Sequence, residues 1–177
     1  TPFCLADSKQ RAVLCAHDGG RTIDVQSNEF PLSLIEPYLN TKADDFIYKG
    51  TASIQAELPK DFDLKASGFI DLIVPSMVVG VRNNTDAEVT RLDDLRIRAN
   101  WLNKRLNGTV KARLQQDGFI DGELDTGFAA NAPLSGGLKV RMNHLDWLEL
   151  FSLDIANPNG RLIGEVQLAG TRDNPVI

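Results

Sequence analysis

Apolar and polar side chains alternate along most of this chain, and the alternation predicts strand after strand. The clearest case is Gly118 to Leu124, GFIDGEL. A period of two places Ile120, Gly122 and Leu124 on one face and Phe119, Asp121 and Glu123 on the other, which describes a sheet with one dry side. The same pattern, a glycine followed by small or apolar residues at every second position, fits Gly50 to Ala56, Gly68 to Val74, Gly108 to Leu114 and Gly160 to Val166. Small residues recur at Ala52, Ala56, Ala66, Gly68, Ala99, Ala112, Gly122 and Gly164. They either let two surfaces approach closely or leave room for something apolar to lie inside.

In chain order, Cys4 and Cys15 flank the polar stretch Asp7 to Gln10 as facing residues of a first hairpin would, and Thr22 to Gln26 alternates as a strand. Phe30 to Asn40 changes period: Leu32, Ile35 and Leu39 fall at helical spacing, and Pro37 limits the helix to one or two turns. Phe46 to Leu58 and Phe62 to Val74, separated by Pro59 and Lys60, form a second long hairpin, and Ser76 to Arg82 continues mainly apolar. Thr85 to Leu95 fits a capped helix and a short edge strand equally well. Leu95 to Trp101, Gly108 to Leu114 and Gly118 to Leu124 read as successive antiparallel strands with short turns. Gly127 to Gly137 reads as a loop, Leu138 to Met142 as a strand, Leu145 to Leu153 as a second short helix, and Gly160 onward as the last strand.

The expected architecture is therefore all-β with minor short helices. About nine or ten strands spaced 4.8 Å apart make a sheet roughly 40 Å wide, whereas a helix covers some two strands. The dry face must then be buried by the sheet curling or folding on itself, or stay partly open as a groove.

Composition narrows the functions. With 177 residues, 42% hydrophobic and 24% charged, the chain suits one globular domain and as a compact body would bury roughly 70% of its unfolded surface. Its net charge of -5 argues against a nucleic-acid partner, which needs a basic stripe. The beginning at Thr1 and the short run after Pro175 suggest a stretch of a longer protein. A Cys4–Cys15 disulfide would imply an oxidising compartment, with two buried thiols as the alternative. No metal site is expected from two cysteines without a pair of histidines nearby. His17 and His144 lack local partners, and Asp44–Asp45 and Asp93–Asp94 lack the spacing of a calcium loop. No phosphate-cradling glycine loop, nucleophile elbow or HExxH is present, so no catalytic residue and no cofactor is nominated. Asn83 and Asn107 head glycosylation sequons.

The last stretch, NHLDWLELFSL from Asn143 to Leu153 followed by NPNGRLIGEVQLAGTRDNP, carries a signature of short helix and glycine-rich strand, echoed at Phe30 to Leu58. It resembles the TamB family of translocation and assembly module subunits, related to AsmA-like bridge proteins, and suggests a piece of the C-terminal half. The resemblance implies a periplasmic location in a protein anchored in the inner membrane. It further implies one domain over 1–177 whose long sheet curls into a taco-like or cone-like trough with an apolar interior. Phospholipid acyl chains or unfolded outer-membrane protein would lie in it, and an Omp85-type outer-membrane barrel, TamA, would engage other parts of the full-length protein. On this reading the groove is lined by Ile70, Leu72, Val74, Ile97, Trp101, Val110, Leu114, Ile120, Leu124, Leu138, Val140, Val166 and Leu168. A groove conducting lipid and a holder of unfolded β-strands fit these residues equally, and a carbohydrate-active β enzyme is a third, weaker fit.

Overall fold

The computed structural model describes residues 2–35, 46–60, 66–81, 90–114, 117–145 and 159–177. Its strands are β1 (Phe3–Ala6), β2 (Ala12–Asp18), β3 (Thr22–Pro31), β4 (Phe46–Pro59), β5 (Gly68–Val81), β6 (Thr90–Leu102), β7 (Arg105–Leu114), β8 (Gly118–Gly127), β9 (Leu134–Met142), β10 (Leu162–Gly170) and β11 (Pro175–Val176). They form one 11-stranded sheet in sequence order, each strand antiparallel to the next. The order leaves β1 and β11 as edges, so the sheet is open and does not close on itself.

Several boundaries differ from the sequence reading. Of the helix expected over Phe30 to Asn40, the described part is the end of β3 followed by a 3-10 helix at Leu32–Ile35. Phe30 and Pro31 still pair with Ala52 and Thr51, so the ladder overrides the helical spacing. The ambiguous stretch resolves as strand from Thr90 onward, and its earlier part lies outside the described residues, as does most of the second expected helix. Leu134 to Gly137, read as loop, belongs to β9 because Leu134, Gly136 and Gly137 pair with Thr126, Leu124 and Glu123. The hairpin between β6 and β7 had no separate signal in the alternation. It turns through Asn103 and Lys104, both with positive φ, at 51° and 64°. Two such residues make the turn whose twist matches the flanking strands.

Within β3, β5 and β6 the apolar pattern steps by three residues instead of two: Ser27 to Phe30, Val74 to Met77 and Leu92 to Leu95. Pairing shifts register at the same places, between Ser27 and Phe30 of β3, between Gly50 and Ser53 of β4 against β5, and between Asp93 and Arg96 of β6. These are bulges, where an extra residue bends a strand and increases its twist. Because β5 and β6 each carry one, they stay in register with one another through the bend. Ser53 Oγ donates to the Asn28 carbonyl at 2.9 Å and so satisfies a group the bulge frees from the ladder.

The most buried cluster, Leu32, Ala52 and Val74, lies where the 3-10 helix covers β4 and β5, and Phe30, Ile54, Leu72, Met77 and Leu95 pack around it. Elsewhere coverage is thinner. The chain exposes 12006 Å², where a compact monomer of its mass exposes about 8,500 Å²; it thus buries roughly 58% of its unfolded surface, less than the compact-body expectation.

Trp101, 8% exposed, lies across Gly68. A Cβ at Gly68 would sit 2.6 Å from the Glu57 carbonyl oxygen and 2.6 Å from Trp101 Cε2. A Cβ at Gly164 meets nothing within 4 Å. Gly68→Ala should therefore destabilise the fold by about 1–3 kcal/mol through overpacking, and Gly164→Ala should change it by less than about 0.5 kcal/mol. Urea midpoints followed by tryptophan fluorescence will separate the two; equal midpoints would show that Trp101 does not depend on the missing side chain.

The Cys4–Cys15 disulfide is formed, between directly opposed residues of β1 and β2. It ties down a four-residue edge strand whose turn is held by Asp7, the carboxylate of which accepts from the Lys9 and Arg11 backbone N–H groups at 2.9 Å each. With 11 residues of sequence separation, reduction should lower stability by about 2–3 kcal/mol in the chain-entropy picture. The observable is a lower guanidinium midpoint in dithiothreitol together with early amide exchange in β1 and β2, and an unchanged midpoint would contradict it.

Candidate functional site

Register brings the expected groove residues onto one face. One row of directly opposed residues runs Ile54, Leu72, Ile97, Val110, Gly122, Leu138 and Val166 from β4 to β10. The next runs Ala56, Ile70, Ala99, Gly108, Leu124, Gly136 and Leu168 over the same strands. A third, from β7 to β10, is Ala112, Ile120, Val140 and Gly164. Val74 opposes Leu95, Leu114 opposes Leu92 and Gly118, and Trp101 opposes Gly68 and Leu106.

Large and small residues interleave along the second row and around Gly122 in the first, so several large side chains spread over a small neighbour in the same layer. Leu124 lies between Gly108 and Gly136. At Gly122 the structure corrects the idea of spare room: a Cβ there would meet Val110 Cγ1 at 2.9 Å and Leu138 Cδ1 at 3.2 Å. Its cross-strand neighbours already fill that place. Ala52, Ala56 and Ala112 are likewise buried, and open space remains at Gly164. The face is sealed at Val74 of β5, which is 2% exposed, and open at Ile97 of β6, Leu138 of β9 and Val166 of β10, each 38% exposed. Trp101 Nε1 is buried with no hydrogen-bond partner, which leaves one polar donor on this apolar side.

The opposite face is charged and mostly self-neutralised. Lys111, Asp121, Lys139 and Glu165 oppose one another in alternating sign across β7 to β10, with Lys111–Asp121 at 3.3 Å and Lys139–Glu165 at 3.4 Å. Arg98 donates to Asp71 at 2.7 Å, and Arg105 and Asn107 both engage Asp125, which ties up the Asn107 side chain of one sequon. Exposed pairs of this kind contribute about 0–1 kcal/mol each, so they orient the face more than they stabilise it.

Perturbed carboxylates lie at turns and at the bulge, away from the apolar rows. The Arg91 guanidinium and then the Ser76 hydroxyl hold Asp93 below the usual carboxylate range. The Lys60 ammonium and the Gly20 backbone N–H do the same for Asp18, and the Arg11 and Lys9 backbone N–H groups, with the Arg11 side chain, for Asp7. His17 and His144 are exposed, and among the described residues no group of three or more His, Cys, Asp or Glu could hold a metal ion. No helix among the described residues is long and apolar enough to cross a membrane. What the site offers is apolar area and free sheet edges.

No curated protein and no solved structure matches the chain. A family model does, over residues 4–177, and its description is "TamB, N-terminal domain". That description names an N-terminal domain where the resemblance suggested the C-terminal half, and the match takes in every strand but for Phe3 of β1. The chain belongs to the TamB family.

Proposed function

We propose that this sheet is a non-enzymatic segment of a periplasm-spanning envelope protein whose apolar face conducts phospholipid acyl chains between the inner and outer membranes and so supports outer-membrane protein assembly. The face curls around its cargo as a trough, the full-length protein is anchored in the inner membrane, and other parts of it engage an outer-membrane barrel of the TamA type. The observation that carries this reading is the unbroken apolar surface from β4 to β10, exposed at Ile97, Leu138 and Val166. Acyl chains laid on such a surface gain about 25 cal/mol per Å² of apolar area taken from water and require no fixed charge. Interleaved glycines flatten the surface, which suits flexible chains better than a shaped ligand.

A second reading is a chaperone-like holder of unfolded outer-membrane β-strands. The outer edge of β10 favours it, since β11 pairs only with Ala169 and Gly170 and leaves the rest of that edge unpaired among the described residues.

Leu138→Arg discriminates, because the position is already exposed and the fold should tolerate the change. Phospholipid recovered by mass spectrometry of organic extracts should fall at least tenfold relative to wild type, and Glu123→Gln on the opposite face should leave it unchanged. Undiminished lipid in a folded Leu138→Arg protein overturns the lipid reading; crosslinks from Leu138 to nascent barrel protein in place of phospholipid favour the second.

A further inference from the structure

The polar face contains a site that the lipid reading does not use. At the β6 bulge Asp94 adopts φ 48°, and Asp94 with Leu95 opposes the single residue Ala112 of β7. The extra residue opens a cleft of about 510 Å³, walled by Ile73, Ala112, Phe119 and Ile120 and lined by three cations, Arg96, Lys111 and Arg113, against two carboxylates, Asp94 and Asp121. Arg96 and Lys111 directly oppose each other across β6 and β7. Like charges in that position repel, an arrangement that costs stability unless an anion lies between them. Lys111 has Asp121 and Arg113 has Asp94, but Arg96 has no acidic partner among the described residues, whereas Arg98, two residues along the same strand, is held by Asp71. Arg141, outside the cleft lining, stands over the Phe119 ring with its guanidinium carbon 5.4 Å from the ring centre.

We infer that this cleft is a binding site for a phosphate group, carried by a lipid headgroup or by a small soluble phosphate. Arg96 presents its planar fork free, which matches two phosphate oxygens at once, and Lys111 adds a point charge from the neighbouring strand. The pairs that Lys111 and Arg113 now make are more than half exposed on the basic side and exchange readily for a stronger anion. Ile73 and Phe119 supply an apolar wall for the carbon skeleton attached to the phosphate. In a chain of net charge -5 such a basic cleft is not a by-product of overall charge. The inference stands whatever occupies the apolar face, which lies on the other side of the sheet.

Three probes test it: inorganic phosphate, glycerol 3-phosphate, and vesicles of phosphatidylglycerol with phosphatidylcholine against phosphatidylcholine alone. Binding is read by calorimetry or co-sedimentation and by the Arg96 Nε–H resonance. Saturable binding should weaken at least tenfold in Arg96→Gln, by an intermediate factor in Arg96→Lys, which keeps charge without the fork, and by less than twofold in Arg98→Gln. Binding of the two soluble phosphates assigns the site to free phosphate. Binding restricted to phosphatidylglycerol vesicles and lost in Arg96→Gln assigns it to a headgroup. No saturable binding of any probe, or equal losses in Arg96→Gln and Arg98→Gln, overturns the inference.

Discussion

The molecule depends on antiparallel register. Each strand's partner is its neighbour in sequence, and a slip of one residue would exchange the apolar and charged faces of that strand. Both faces penalise a slip: it would set Leu72, Ile97 and Val110 among arginines and bring Asp121 and Lys111 onto the dry side. The weak exposed ion pairs matter in this light. Individually they add little stability, yet the alternating row from Lys111 to Glu165 permits only one alignment.

Among the described residues the sheet has little cover beyond a 3-10 helix and shelters its apolar side within its own layer. It does so by interleaving large and small side chains along the rows, with Leu124 between two glycines, Trp101 over Gly68, and Val110 and Leu138 meeting above Gly122. Packing of this sort shields the base of each side chain and leaves its outer surface bare, which is why the most deeply buried large apolar residues, Val74 and Leu32, cluster with Ala52 where the 3-10 helix adds cover. The same economy that holds the sheet together as a single layer presents the apolar area on which the proposed function rests. The bulges in β3, β5 and β6 then bend that layer, and the one in β6 also opens the cleft on the reverse side.

Much of this was legible in the residues. Strict alternation assigned most strands and the shared apolar face from Ile70 to Leu168, because the side-chain period of a strand is two and one side is apolar. The Cys4–Cys15 pairing followed from the two cysteines flanking one turn. The bulges are written as steps of three in the buried pattern, at Ser27, Val74 and Leu92, which a strict period of two does not predict. Phe30 to Ile35 misled because helical spacing over two turns is easily overridden by a neighbouring strand that needs a partner, and Leu134 to Gly137 misled because its glycines look like loop while serving as small residues under Leu124.

The all-β character, the two faces and their chemistry follow from the order of residues alone, since alternation is a local property of the chain. Which positions along the dry face are open is settled by packing across strands. Gly122 and Gly164 carry the same signature, a glycine on the apolar side of a strand, but Gly122 has long side chains opposite it on both neighbouring strands and Gly164 does not. Whether a missing side chain leaves space depends on what stands across the ladder, and register across strands is not contained in any one of them.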